Sequence, residues 1–222
     1  MFNKNQVVAV VMGGPSAERE VSLNTGAAIA NALREYGYTN VVEIDLDPRN
    51  FGKQLAESKA EVVFNAVHGL YGEDGRLQTL LEIREMPYTG SGMIASVSCM
   101  DKVITKRMLR DAGISTPACL IVNKKESGIK EKIMQRFSLP VVIKPASQGS
   151  SIGVEIVKEE NQLDEALVNA FKYSRDILVE EFIGGKELTV SMMQKDGEVV
   201  AKAIHSLNVV FVKCMDMIIK LH

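Results

Sequence analysis

The chain has 222 residues, of which 46% are apolar and 24% are charged, and its formal net charge is −2. This length allows one large or two modest domains with proper cores. The charge balance lacks the basic footprint of a polyanion-binding protein, so no nucleic-acid partner is expected. The cysteines are scattered, odd in number and outside any C-x-x-C pattern, which excludes a disulfide framework and a zinc site. No apolar run reaches about 18 residues, so no membrane span is expected and we predict a cytoplasmic protein.

Strands and helices are predicted to alternate through the first part of the chain. The nearly continuous apolar run at residues 6–12 is typical of a parallel strand that is covered on both faces. A helix is predicted after residues 18–22, strands at residues 41–44 and 62–66, and a weaker helix at residues 51–58. This alternation predicts a doubly wound parallel sheet, in which ligands bind beyond the carboxyl ends of the strands.

Two loops at such strand ends are candidate sites. Residues 13–22 form the first, and residues 68–75 form the second, which holds His68, three glycines and two acids in eight residues. Loops dense in glycine and ionisable groups are more often sites than plain turns. His68 is therefore a candidate functional residue, with a hydrogen-bonded structural histidine as the alternative.

A dinucleotide-binding fingerprint is formally present at Gly90-x-Gly92-x-x-Ala95. The acid expected about 20 residues later is Asp111. Asp111 lies in a predicted helix instead of closing a strand, and the glycines do not follow the first strand. A Rossmann-type dehydrogenase is therefore kept only as an alternative.

The second part of the chain restarts after a basic helix predicted at residues 102–110, which ends at Gly113. The domain boundary is expected between about Gly92 and Lys102. The predicted elements that follow are a strand at 120–122, a helix at 127–137, a helix at 161–171, and strands at 176–183 and 186–193 with a turn at 195–197.

Residues 141–157 predict a phosphate-binding hairpin. A β-branched run ends at Lys144, a glycine- and serine-rich loop follows, and residues 154–157 resume as a strand. Gly149 allows a close backbone approach, and the amides around Ser150 and Ser151 could hold an anion. The alternative is an ordinary hairpin with a surface lysine. A serine-hydrolase elbow is excluded because a strand follows the loop, and a Walker A loop is excluded because the lysine precedes the glycines.

Several blocks, in order along the chain, together resemble the D-alanine–D-alanine ligases of the ATP-grasp superfamily. They cover almost all of the chain up to about Ala203. The blocks are Gly13-Gly14-x-Ser16-Ala17-Glu18-x-Glu20-Val21-Ser22, His68-Gly69-x-x-Gly72-Glu73-Asp74-Gly75, Tyr88-Thr89-Gly90-Ser91-Gly92, Met100-Asp101-Lys102, Lys144-Pro145 with Gly149-Ser150-Ser151-x-Gly153, and Glu180 through Glu187-Leu188-Thr189-Val190.

This resemblance implies an α/β chain with a Rossmann-like, pre-ATP-grasp parallel-sheet domain at residues 1–98. An incomplete α+β ATP-grasp domain would follow at residues 99–205. It implies a ligase of peptidoglycan synthesis, in which ATP phosphorylates the carboxylate of one D-alanine and the amine of a second attacks the acyl phosphate. ATP and Mg²⁺ or Mn²⁺ would be the cofactors, and family members are usually homodimers.

The resemblance also implies roles for individual residues. Glu18 would bind the ammonium of the first D-alanine, with His68 near its carboxylate, and Ser150 would link Glu18 to the lid over the site. The residues implied to bind ATP are Lys102, Lys144, Gly149, Ser150, Ser151, Glu180, Glu181, Phe182, Ile183 and Glu187.

Residues 206–222 match no block of the family. The family's metal ligands and its arginine for the acyl phosphate are also expected in a part that this chain lacks. We therefore expect a truncated or frameshifted product without ligase activity; the alternative is a genuine divergent tail. A non-catalytic binding remnant and a D-Ala-D-lactate or D-Ala-D-Ser variant also stay open as functions.

Overall fold

The computed structural model describes residues 3–149, 151–185, 187–195 and 198–207. They form two compact units. The first contains residues 3–97, 190–195 and 198–203, and the second contains residues 98–149, 151–185, 187–189 and 204–207. Of the predicted tail at residues 206–222, only residues 206 and 207 are described, and residues 208–222 lie outside the described part.

The first unit is built on a parallel sheet with the strand order β2-β1-β3. An isolated parallel bridge between Val63 and Tyr88 extends this sheet beyond β3. The elements are β1 (Val7–Met12), α1 (Arg19–Glu35), β2 (Asn40–Asp45), α2 (Phe51–Ser58), β3 (Val62–Asn65) and α3 (Arg76–Glu82).

Strand β1 is apolar on both faces because each face has its own core. Ala9 and Val11 pack in a cluster with Phe51 of α2 and with residues of α3. Val10 and Met12 pack in a second cluster that includes Ala30 of α1. The predicted covering of this strand on both sides is thereby confirmed.

The second unit is built on an antiparallel sheet with the strand order β4-β7-β5-β6. A separate two-stranded sheet contains β8 and β9. The remaining elements of the chain are α4 (Met93–Met100), α5 (Lys102–Asp111), β4 (Cys119–Asn123), α6 (Ile129–Arg136), β5 (Val141–Pro145), β6 (Glu155–Val157), α7 (Leu163–Ala170), β7 (Asp176–Glu181), β8 (Glu187–Lys195) and β9 (Glu198–Leu207).

The two faces of this second sheet differ in chemistry. Successive strand residues point to opposite faces. Val141 and Ile143 of β5 therefore share one face, which packs against Ile133 of α6 and Leu163 of α7 in a hydrocarbon core. Lys144 lies on the opposite face, and so does Glu180 of β7, because Glu180 is paired with Val142 in the sheet register.

Most of the predicted elements are confirmed within about two residues, but two differences stand out. Helix α4 was not predicted, although residues 93–100 form two helical turns. Strand β7 ends at Glu181, so the predicted strand at 176–183 is two residues too long. Within the described residues, no helix is both long and apolar enough to cross a bilayer.

Candidate active-site residues

In the first unit, the loops after the three parallel strands converge at one edge of the sheet. Arg19, in the first turn of α1, makes two hydrogen bonds of 2.7 and 2.6 Å to the carboxylate of Asp45, at the end of β2. These bonds hold the pKa of Asp45 below its ordinary value. The paired charges thus fasten the start of α1 to the end of β2.

Ser22 of α1 joins the ends of the other two strands. Its hydroxyl accepts a hydrogen bond of 2.8 Å from the amide of Gly13, after β1. The same hydroxyl donates a bond of 2.7 Å to the carbonyl of Ala66, after β3. Because Ser22 is fully buried, both backbone groups depend on it for a partner in this part of the unit.

Glu18 and His68, predicted from two different loops, are brought together by Ser16. The amide of Glu18 donates to the hydroxyl of Ser16 at 3.1 Å, and that hydroxyl donates to the carbonyl of His68 at 2.7 Å. Gly69 has a positive φ of +70°, and a Cβ there would lie 2.6 Å from Glu18 Oε2. Glycine suits the positive φ here, and a side chain at this position would have to displace the Glu18 carboxylate.

His68 is oriented by two side chains that the sequence reasoning did not assign. Its Nε2 lies 3.1 Å from Thr25 Oγ1, and its Nδ1 lies 3.7 Å from Glu73 Oε1. The nearby carboxylate of Glu73 raises the pKa of His68 above its ordinary value. Burial, followed by repulsion from Glu73, raises the pKa of Glu18. The cluster can hold an ammonium against carboxylates in a partly dehydrated setting.

In the second unit, the start of α5 is fastened to the loop after β5. The carboxylate of Asp101 caps α5 by accepting from the amides of Val103 and Ile104 at 2.9 and 3.0 Å. The Lys102 amide donates to the Ala146 carbonyl at 2.9 Å, and the Lys102 ammonium donates to the Gln148 carbonyl. Lys102 is thereby located beside the loop that contains Gly149.

A charged cluster is buried on the face of the second sheet opposite its hydrocarbon core. Lys144 is only 7% exposed and pairs with Glu180 Oε2, so the alternative of a surface lysine does not describe it. The ammonium of Lys106 lies 2.7 Å from Glu180 Oε1. Sequence reasoning missed Lys106, and the only signal for it was its spacing of four residues from Lys102 on the same helix face.

The other residues implied to bind nucleotide are distributed around the ends of β5 and β7. Glu181 Oε1 accepts from the Ala118 amide at 2.7 Å, so this carboxylate supports the sheet edge. Phe182 and Ile183 follow β7 and are exposed. Gly149 and Ser151 lie half-buried in the loop after β5, and Glu187 begins β8. Ser150 and the side chain of Glu187 lie outside the described residues.

The local structure also tests the competing motifs. Strand β6 follows the loop at residues 149–153, which confirms that this loop does not open a helix as a serine-hydrolase elbow does. Asp111 ends helix α5 instead of a strand, so the acid of the dinucleotide fingerprint is missing from its required position. Within the described residues, no cluster of three or more His, Cys, Asp or Glu side chains is arranged to hold a metal ion.

Comparison with known proteins gives one consistent family. Residues 47–91 match the family model "D-ala D-ala ligase N-terminus", and residues 108–212 match "D-ala D-ala ligase C-terminus". A D-alanine–D-alanine ligase of Carboxydothermus hydrogenoformans is 44% identical over 201 residues, which are 89% of this chain and 64% of that protein.

Solved structures agree with the sequence matches. The D-alanine–D-alanine ligase from Bacillus anthracis complexed with ATP is 31% identical, with a TM-score of 0.76 over 98% of this chain and 70% of that one. The VanG D-Ala:D-Ser ligase from Enterococcus faecalis is 26% identical, with a TM-score of 0.75 over 91% of this chain and 69% of that one.

The fold is therefore that of an ATP-grasp ligase, with a parallel α/β unit followed by part of the α+β unit, as expected from the sequence. The chain belongs to the D-alanine–D-alanine ligase family. It spans about three fifths of the length of the curated relatives that it matches, between 59% and 64%.

Proposed function

We propose that this chain provides the D-alanine- and ATP-binding parts of a D-alanine–D-alanine ligase of peptidoglycan synthesis. The observation that carries the proposal is the convergence of Lys102, Lys144 and the Gly149 loop in the second unit. Lys102 contacts the glycine-rich loop, and Lys144 lies on the strand that leads into it, a combination suited to the phosphates of a nucleotide.

ATP would bind on the charged face of the second sheet. Lys102 and Lys144 would contact phosphate oxygens, and the amides at Gly149, Ser150 and Ser151 would cover them. The adenine would be recognised by the buried carboxylate of Glu180 and by the backbone from Glu181 to Ile183. Glu187 would take the ribose hydroxyls.

The first D-alanine would bind at the converging loops of the first unit. Glu18 would pair with its ammonium, and His68 would lie near its carboxylate. The start of α1 supports a negative charge at this edge through its helix dipole. The role of Ser150 stays a prediction from the family resemblance.

The reaction would activate one substrate and then join it to another. ATP would phosphorylate the carboxylate of the first D-alanine and leave as ADP, and the amine of the second D-alanine would attack the resulting acyl phosphate, releasing phosphate. The residues of this chain bind and orient the reacting groups, which is the principal protein contribution to phosphoryl transfer. Mg²⁺ or Mn²⁺ would neutralise phosphate charge in the whole protein. A cytoplasmic homodimer is the corresponding prediction for the assembly.

Titration of the 222-residue chain tests this proposal. We expect saturable binding of ATP and separate binding of D-alanine in calorimetry, with NADH as the matched control because the dehydrogenase alternative requires it. Binding of NADH in place of ATP would contradict the proposal. The absence of saturable ATP binding would contradict it as well.

The identity of the second substrate is a narrower question. D-Ala-D-lactate and D-Ala-D-Ser formation use the same activation of the first D-alanine. In a full-length version of the proposed ligase, competition of D-serine and D-lactate with D-alanine as acceptor, followed by mass analysis of the product, separates these variants.

A further inference from the structure

Lys106 belongs to the buried charged cluster but has no role among the residues assigned so far. Its ammonium lies 2.7 Å from Glu180 Oε1 and donates a bond of 2.8 Å to the carbonyl of Pro117. Lys144 occupies the other carboxylate oxygen of Glu180. Less than a tenth of each of the three charged side chains is exposed.

One carboxylate of this cluster has two cationic partners. Lys106 and Lys144 contact different oxygens of Glu180 in a buried setting. An anion that binds here can attract one of the two ammonium groups, and Lys144 is next to the phosphate loop. However, Lys144 can turn to a phosphate only if Glu180 keeps another partner, because an unpaired buried charge is strongly destabilising.

Lys106 is positioned to remain the partner of Glu180 when Lys144 turns away. Pro117 gives its ammonium a second fixed contact, independent of Lys144. The helix that carries it is fastened by the Lys102 amide to the carbonyl of Ala146 and by the Thr105 hydroxyl to the carbonyl of Ser98, at 2.9 and 2.6 Å. A displacement of Lys144 therefore leaves the pair between Lys106 and Glu180 intact.

We infer that Lys106 is a positioning residue for nucleotide phosphates: it neutralises Glu180 so that Lys144 can exchange from this carboxylate to a phosphate oxygen. The inference rests on the proposed function, since it assumes that ATP binds on this face. Beyond the proposed function, the inference states that Lys106, without contacting ATP itself, controls the affinity of the protein for the phosphates of ATP.

The test compares two ligands that differ only in phosphates. ATP and adenosine are titrated into the 222-residue chain and into Lys106→Gln, with ATP followed by calorimetry and adenosine by NMR chemical shifts. We expect Lys106→Gln to lower the affinity for ATP at least about tenfold and that for adenosine by less than about twofold. Equal losses for both ligands would indicate a merely structural role and overturn the inference.

Three further variants complete the test. Lys106→Arg keeps the charge and should retain most of the ATP affinity. Lys158→Gln removes an exposed lysine of the same unit and should change neither ligand. In a Glu180→Gln background no carboxylate requires a counter-ion, so adding Lys106→Gln should cost no further ATP affinity. The same tenfold loss in that background would overturn the inference.

The outcomes also separate this inference from the proposed function. If the unmodified chain binds neither ATP nor adenosine, the proposed function fails and the inference fails with it. If the unmodified chain binds ATP and Lys106→Gln binds it equally well, only the inference fails. Thermal unfolding of each variant verifies that the second unit is folded in every titration.

Discussion

Among the residues of the first unit, Glu18 gives the clearest prediction about substrate binding. Glu18→Gln should weaken D-alanine binding about tenfold or more and leave ATP binding unchanged, because an amide pairs with an ammonium less well than a carboxylate does. Calorimetric titrations with both ligands measure this effect. Since burial raises the pKa of Glu18, D-alanine affinity should also fall as the pH is lowered through that raised value.

Glu20→Gln is the matched control for this change. Glu20 is two residues away and exposed in the first turn of α1, so the same chemical substitution there should leave D-alanine affinity unchanged. Equal losses from the two variants would mean that the field of the helix start, and not a contact to Glu18, controls binding.

The raised pKa of His68 predicts a pH dependence of stability. A histidine whose pKa is higher in the folded state binds its proton more tightly there, so it stabilises the folded state fully below its ordinary value of 6.5. This contribution is lost as the pH rises through the folded value. Urea unfolding should give a lower free energy of unfolding at pH 9 than at pH 6. Glu73→Gln should make this difference smaller, because Glu73 is the main cause of the raised pKa of His68.

An NMR titration of the His68 imidazole provides the direct control. A midpoint at or below 6.5 in the folded chain would contradict this prediction. It would also mean that the contact of 3.7 Å between His68 Nδ1 and Glu73 Oε1 does not form in solution.

Sequence reasoning selected candidate site residues where the local pattern itself was unusual. Lys144 and His68 were found because each stands next to a glycine-rich loop at the end of an apolar run. Lys106, Thr25 and Glu73 were not assigned roles, because their contacts come from other elements packing beside them. Lys106 meets Glu180 from 74 positions earlier in the chain, and no local pattern encodes such a meeting.

At the scale of elements, one buried hydroxyl of α1, that of Ser22, joins the ends of two strands of the sheet. Ser22→Ala leaves the Gly13 amide and the Ala66 carbonyl without that partner, and unsatisfied buried groups cost about 1–3 kcal/mol each. For the two groups together, we expect the free energy of unfolding to fall by about 2–6 kcal/mol, measured by urea denaturation. Asn24→Ala, on the exposed side of the same helix, should change it by less than about 0.5 kcal/mol.

A loss from Ser22→Ala no larger than that from Asn24→Ala would contradict this assignment. It would mean that water or backbone rearrangement replaces the hydroxyl at both strand ends.

Predictions of elements succeeded where one periodicity dominated. The run of β1 is apolar throughout, and the helices around residues 51–58 and 163–170 show a clear buried side. Helix α4 was missed because its residues include two serines, a valine and an isoleucine, which have modest helix propensity. Only Ser96 of this helix is buried, so no apolar stripe marked it.

At the scale of the whole chain, the candidate substrate residues and the candidate nucleotide residues belong to different compact units. We predict that D-alanine alone slows amide hydrogen exchange in the loops at residues 13–22 and 68–75. ATP alone should slow exchange in α5, β5 and β7. Exchange followed by mass spectrometry measures both effects, and the exposed segment at residues 158–162 is the internal control.

The opposite pattern would contradict the assignment of sites to units. If D-alanine alone protected β5 and β7, or ATP alone protected residues 68–75, the substrate and nucleotide roles would have to be exchanged. Equal slowing at residues 158–162 would indicate a general stabilisation without a defined site.

The alternation of side chains along β5 also has a consequence for folding fidelity. A slip of one residue against β7 would turn Ile143 toward the charged face and drive Lys144 in among Ile133 and Leu163. Such a misfolded state would bury an unpaired ammonium in hydrocarbon at a cost of several kcal/mol. Apolar packing on one face of β5 therefore fixes the strand register, and the register fixes the position of Lys144 on the other face. The arrangement of the proposed nucleotide face thus depends on core side chains on the opposite side of the sheet.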